Sequence, residues 1–119
     1  MIVPIRKDFD LYKGATFKLQ FRLKANCAPV DLTGYAIYMT ISDRPDGEEV
    51  LSFSTSSSPT YISVDADDDY LITIELPPII TAAISEPGRA YYEIDTVNTD
   101  NERDRRLLGN LNIFEQAVG

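Results

Sequence analysis

Apolar and polar residues alternate along most of this chain. In Phe17-Lys18-Leu19-Gln20-Phe21-Arg22-Leu23-Lys24 every odd residue is apolar and every even one polar. That is the period of a strand with one face on a core and the other in water. The same alternation predicts a strand from Tyr35 to Ser42, with Tyr35, Ile37, Met39 and Ile41 on one face. It predicts a short strand at Val50, Leu51 and Phe53, and another from Tyr61 to Val64. A further strand runs from Tyr70 to Leu76, with Tyr70, Ile72, Ile74 and Leu76 together. Ala90 to Val97 puts Tyr92 and Ile94 on one face. Arg106 to Phe114 aligns Leu107, Leu111 and Ile113, with Gly109 in the row.

Breakers separate these runs. Ala25 to Pro29 reads as a turn, and so does Pro45-Asp46-Gly47, where Pro presets φ and Gly accepts a positive one. Ser54 to Pro59 is a loop of small polar residues, and Asp65 to Asp69 a turn. Pro77-Pro78 ends a strand, and Ile79 to Ile84 is the one helical piece, a turn or two long. Pro87-Gly88 is a turn and Asn98 to Arg103 a polar hairpin loop. Seven or eight short strands, with turn signals about every 8–12 residues, predict an all-β sandwich or small barrel. The 119 residues suffice for one domain with its own core. We read residues 1–119 as that domain, with 1–12 as an N-terminal arm and first strand. No internal repeat or linker divides it.

Composition narrows the chemistry. The chain is 44% apolar and 25% charged, as soluble globular domains are. It contains no histidine and one cysteine. That removes Ser-His-Asp and Cys-His pairs, most zinc sites and any intramolecular disulfide. Cys27 sits between Asn26 and Ala28, which supply no base to activate it. The net charge of −8 repels phosphate backbones. Glu102-Arg103-Asp104-Arg105-Arg106 mixes signs and lacks an aromatic platform for bases. We therefore expect no nucleic-acid partner. No segment is long and apolar enough for a signal peptide or a bilayer span, so no membrane partner is expected.

Two carboxylate groupings could carry chemistry. Asp65, Asp67 and Asp69 match the opening of a calcium loop, but Tyr70 and Leu76 stand where an EF-hand needs Gly and Glu. The favoured reading is a solvated hairpin turn, with a weak cation site as the alternative. Glu93 and Asp95 share a strand face, and alternation turns that face toward solvent, where carboxylates make poor catalytic acids. No phosphate-binding or nucleophile-elbow motif is present. The expectation is no catalytic residue, no metal, no cofactor and no small-molecule substrate. Seven tyrosines supply core edges and, for about a third of them, a partner surface.

Val30-Asp31-Leu32-Thr33-Gly34-Tyr35 forms a chain reversal in which Asp31 and Thr33 can bond local backbone. It is one of five segments that follow one another in order. Lys13-Gly14-Ala15-Thr16-Phe17 precedes it, with Ala15 at a position usually acidic. Pro45-Asp46-Gly47 follows. Then come Thr81-Ala82-Ala83-Ile84 with Pro87-Gly88-Arg89-Ala90-Tyr91-Tyr92-Glu93-Ile94, and Arg106-Leu107-Leu108-Gly109-Asn110-Leu111. In this order and spacing, over residues 13–111, the chain resembles a family of small bacteriophage virion proteins. It is also similar to the N-terminal domain of phage upper-baseplate proteins. The resemblance implies an immunoglobulin-like antiparallel sandwich without a disulfide, and a structural signature of Gly14, Asp31, Leu32, Thr33, Gly34, Tyr35, Gly88 and Gly109.

The expected function is that of a non-enzymatic virion structural or adaptor protein of the tail, baseplate, fibre-attachment or neck region. It would dock other virion proteins and copies of itself, and reside in the virion after synthesis in the host cytoplasm. Loops outside the core are the expected contacts: Ser56, Ser57, Asn98, Asn101, Arg103 and Arg105, with the Met1–Lys7 arm. The alternative is a carbohydrate- or receptor-binding module, although the chain has no Trp to stack on sugars.

Overall fold

The alternation read from the sequence is the burial pattern of the strands. In a computed structural model describing residues 5–25, 28–44, 47–56, 61–84 and 88–114, Phe17, Leu19, Ile37, Met39, Ile41, Ile72, Ile74 and Leu76 are buried. Their polar neighbours Lys18, Gln20 and Glu75 are exposed. The strands are β1 (Ile5–Arg6), β2 (Phe9–Tyr12), β3 (Phe17–Phe21), β4 (Lys24–Ala25), β5 (Ala28–Pro29) and β6 (Ala36–Ser42). They continue as β7 (Glu49–Ser54), β8 (Ile62–Asp65), β9 (Leu71–Leu76), β10 (Gly88–Val97) and β11 (Arg103–Phe114), with α1 (Pro78–Ala82) before β10.

Two sheets enclose one core. The larger has the order β1-β11-β10-β6-β7, with β2 continuing β1 along β11; the smaller has the order β3-β9-β8. One cluster of buried side chains draws on both sheets, from Leu19 and Ile74 to Ile41, Ile94 and Leu111. The arrangement is that of an immunoglobulin-like β-sandwich, in which consecutive strands cross between sheets. One pairing departs from the antiparallel expectation: β1 and β2 run parallel to β11. Tyr70, expected to open a strand, instead takes a left-handed φ of 58° just before β9.

The N-terminal segment joins the sheet. Met1 to Lys7 is expected as an arm outside the core; Ile5 to Lys7 are exposed and are bonded along the β11 edge. The Lys7 N–H donates to the Leu108 carbonyl at 2.9 Å. Its carbonyl accepts from the Tyr92 hydroxyl at 2.6 Å. The parallel strand breaks between β1 and β2, and there the Asp8 carboxylate accepts from the Asn110 N–H at 2.8 Å. Gly109 makes this crossing feasible. A Cβ on it would overlap the Lys7 carbonyl, which is backbone and cannot swing aside. Tyr92 lies directly across from Gly109 in the β10–β11 register. Its fully buried ring covers the bare glycine and packs 5.5 Å from Phe9.

The remaining segments order the two ends. At one end, α1 begins with Pro78, whose missing N–H costs nothing in the first turn. The buried Thr81 hydroxyl donates to the Ala15 carbonyl at 2.8 Å and accepts from the Gly14 N–H at 3.1 Å. At the other end, Asp31 accepts from the Thr33 N–H at 2.9 Å, and the Tyr35 N–H closes a turn on Leu32 at 3.0 Å. Hydrogen bonds from Thr33 and then Tyr70 hold the Asp31 carboxyl below its ordinary value. Gly34, at φ +80°, leaves no room for a Cβ beside Thr99. The signature residues thus close turns and crossings: Leu32 is buried, Tyr35 packs against the core, and Gly88 opens β10.

Gly109→Ala is expected to lower the unfolding free energy by about 2–3 kcal/mol, and Tyr92→Phe by about 1 kcal/mol. Urea unfolding reads both, and an unchanged midpoint for Gly109→Ala would contradict the crossing. Burial, and then the Asp8 carboxylate, push the Tyr92 phenol well above the ordinary tyrosine value. A raised folded value favours the protonated form. Its contribution is full below the unfolded value of about 10 and is lost as pH rises through the folded one. Ultraviolet titration should show one tyrosine ionising only with unfolding, a late step that Tyr92→Phe removes.

Candidate functional site

The two outer faces of the sandwich differ in kind. On the small sheet, Lys18 pairs with Glu75 at 3.9 Å and Gln20 with Thr73 at 3.1 Å. That is an ordinary wet face. On the large sheet, period two turns Tyr91, Glu93 and Asp95 of β10 outward and Ala90, Tyr92 and Ile94 inward. The register sets Asp95 between Arg105 of β11 and Tyr38 of β6, and Glu93 between Leu108 and Thr40.

A β-bulge selects the arginine. The β10–β11 register shifts between Ile94 and Asp95, which brings Arg105 opposite Asp95 in place of Arg106. Arg106 instead donates to the Thr96 hydroxyl at 2.9 Å. Asp95 accepts from Nε of Arg103 at 2.8 Å and from Nε of Arg105 at 3.2 Å. A terminal nitrogen of Arg105 pairs with Glu93. The Arg103 guanidinium stands 4.8 Å from the centre of the Tyr38 ring, within cation–π range. Two carboxylates, two guanidiniums and a ring therefore form one line across β11, β10 and β6.

Asp95 corrects the sequence reading. Its face was expected to lie in water, yet its side chain is only 10% exposed. The arginines cover it while staying 54% and 45% exposed themselves. Paired in this way, Glu93 and Asp95 each face an arginine. Arg105 is held charged: burial opposes the charge, but the hydrogen bond to Asp95 and the field of Glu93 raise its value overall.

Further along the same face, Asn112 donates to Asp10 at 3.2 Å. Tyr12 and Phe114 stack there, with centroids 5.2 Å apart. Both rings are large apolar groups left about half exposed. A shallow hollow, open to solvent, lies over β6 and β7 beside Tyr38, Thr40, Glu49 and Ser52.

The expected contact residues divide. Arg103 and Arg105 belong to this face. Asn98 and Asn101 build their own hairpin: the Asn98 side chain accepts from the Asp100 and Glu102 N–H groups, each at 2.9 Å, and Asn101 adopts φ 62°. The Ser56 N–H donates to the Ser54 hydroxyl at 3.3 Å. Ser57 and Cys27 lie outside the described residues. Asp65 accepts from the Asp67 N–H at 3.1 Å, and Asp68 pairs with Arg22 at 2.6 Å. These bonds build the Asp65–Asp69 turn. Tyr38, Tyr91, Tyr12 and Phe114 were not singled out from sequence. The available signal was an aromatic side chain in the polar phase of an alternating strand.

No protein-family model matches the chain, and no curated protein is similar to it. Among solved structures, CopC from Methylosinus trichosporium OB3b is 14% identical over 90% of this chain and 87% of its own, with a TM-score of 0.44. Murine CRIg is 12% identical over 89% of this chain and 91% of its own, with a TM-score of 0.42. Neither likeness says what this chain binds.

Asp95→Ala strands two part-exposed arginines, which water partly compensates. The expected loss is about 1–2 kcal/mol, between the values for surface and buried pairs. A double-mutant cycle with Arg103→Ala should give a coupling of about 0.5–1 kcal/mol, and zero coupling would dissolve the line.

Proposed function

We propose that this chain is a non-enzymatic bacteriophage virion protein, structural or adaptor in role, that docks other virion proteins through the outer face of its large sheet. The observation that carries the docking reading is the composition of that face. Tyr12, Tyr38, Phe114, Arg103 and Arg105 are accessible on it, while Tyr91 is buried, and Tyr and Arg are the residues enriched where interfaces bind tightly. Arg103 and Arg105 are held in place by Asp95 before any partner arrives, which lowers the ordering cost of association. The five ordered motifs support the virion setting: tail, baseplate, fibre attachment or neck. The lack of histidine and the engagement of Glu93 and Asp95 in ion pairs support a role without catalysis.

The test is incorporation into particles, read by mass spectrometry of purified virions. Tyr38→Ala combined with Arg103→Ala should reduce the copies per particle about tenfold, one hot-spot contact or more. Lys18→Ala combined with Gln20→Ala, on the small sheet, should leave them unchanged. Absence of the wild-type chain from particles defeats the virion reading, and equal effects of the two pairs defeat the choice of face.

A further inference from the structure

The two arginines of the large-sheet face are occupied differently. A guanidinium has two edges that each match a carboxylate: a side edge that includes Nε, and an end edge made of both terminal nitrogens. Arg105 is taken up within its own sheet. Its Nε donates to Asp95 at 3.2 Å, and a terminal nitrogen pairs with Glu93. Arg103 gives only its Nε, to Asp95 at 2.8 Å. Among the described residues its terminal nitrogens meet no acceptor, and its side chain is about half exposed.

Arg103 is nevertheless held. The buried Asp95 carboxylate fixes its side edge, and the Tyr38 ring lies against its face, 4.8 Å from the central carbon. Tyr38 is fixed in turn, because β6 is paired on both sides, with Asp95 opposite on β10 and Ser54 opposite on β7. The end edge of Arg103 is therefore set in place before any partner arrives, and little side-chain freedom remains to be lost on binding.

Charge and shape select what fits that edge. Glu93 and Asp95 balance Arg103 and Arg105, so the cluster is neutral on a chain of net charge −8. A phosphate monoester, close to two negative charges, would leave most of its charge unmatched on a single fork. One carboxylate matches one planar fork of parallel N–H donors. The sheet is broad here and its hollow beside Tyr38 and Thr40 is shallow and open, which suits a side chain on a partner's surface better than a chain end.

We propose that the end edge of Arg103 receives the side-chain carboxylate of an Asp or Glu on the virion protein that docks on this face. Each terminal nitrogen donates one N–H to one carboxylate oxygen. Nε stays on Asp95, and the guanidinium bridges the carboxylates of two chains. Tyr38 backs the pair and, with the partner in place, keeps water from it, which strengthens the attraction. This pairing rests on the docking reading above and names the partner's chemistry.

Arg103→Lys keeps a cation beside Tyr38 but replaces the fork with one ammonium. It should lower the copies per purified particle about tenfold, with the thermal midpoint of the free chain close to wild type. Arg103→Gln, a planar donor without charge, should do the same. Particles carrying Arg103→Lys, treated with a carbodiimide that joins an amine to a touching carboxylate with loss of water, should yield a cross-link from position 103 to an Asp or Glu of another protein. Wild-type copy numbers for both variants, while Tyr38→Ala with Arg103→Ala still lowers them, overturn the carboxylate pairing and leave the docking face standing. A cross-link to Asp95 alone overturns the pairing as well, and one to a second copy of this chain overturns the choice of partner. Absence of the wild-type chain from particles defeats the virion reading and the pairing with it.

Discussion

The Tyr92 hydroxyl on the Lys7 carbonyl fixes more of this structure than any other single bond. The parallel N-terminal strand has to break where it crosses Gly109, because its carbonyl there turns off the ladder. A carbonyl turned off the ladder loses its strand partner, and where water cannot replace that partner the loss costs about 1–3 kcal/mol. Tyr92 meets it from β10, across the bare Gly109, while Asp8 replaces it as acceptor for the Asn110 N–H. Three strands are thereby held at one point. A larger residue at 109, a phenylalanine at 92 or an alanine at 8 would each remove a different part of the same junction.

The period-two pattern carried most of the fold, because a strand between water and core must alternate. The inward faces of β3, β6, β9 and β11 follow it residue by residue. It failed where pairing partners, and not burial, decide the outcome. Ile5 and Arg6 are exposed on the sheet and carry no burial signal, so their parallel pairing with β11 was illegible. The bulge beside Asp95 was illegible for a related reason. A slip of one residue in β11 exchanges Arg105 for Arg106, and nothing in Arg105-Arg106 says which arginine will meet the carboxylate.

The candidate site was only partly legible, and its signal was misassigned. Arg103 and Arg105 were singled out as loop cations, but both belong to β11 and act across the sheet. The tyrosines were divided between the core edge and, for about a third of them, a partner surface, but the pattern alone did not say which were which. Tyr38 sits between Ile37 and Met39, which are buried, and so it must point to the opposite face. An aromatic in that phase pays a solvation penalty unless something covers it, and the Arg103 guanidinium does so in part.

The same reasoning separates the two sheets by what they leave unfinished. On the small sheet, Lys18 pairs with Glu75 and Gln20 with Thr73. On the large sheet, Tyr12 and Phe114 stack on each other and stay about half exposed. Half-exposed rings favour contact with another surface, on a chain whose net charge of −8 otherwise keeps copies apart. The repulsion is long-ranged and falls with salt, whereas burial of apolar rings acts only at contact. An acidic chain with one pair of half-exposed rings therefore keeps other acidic surfaces at a distance while leaving a local apolar patch able to be buried at contact.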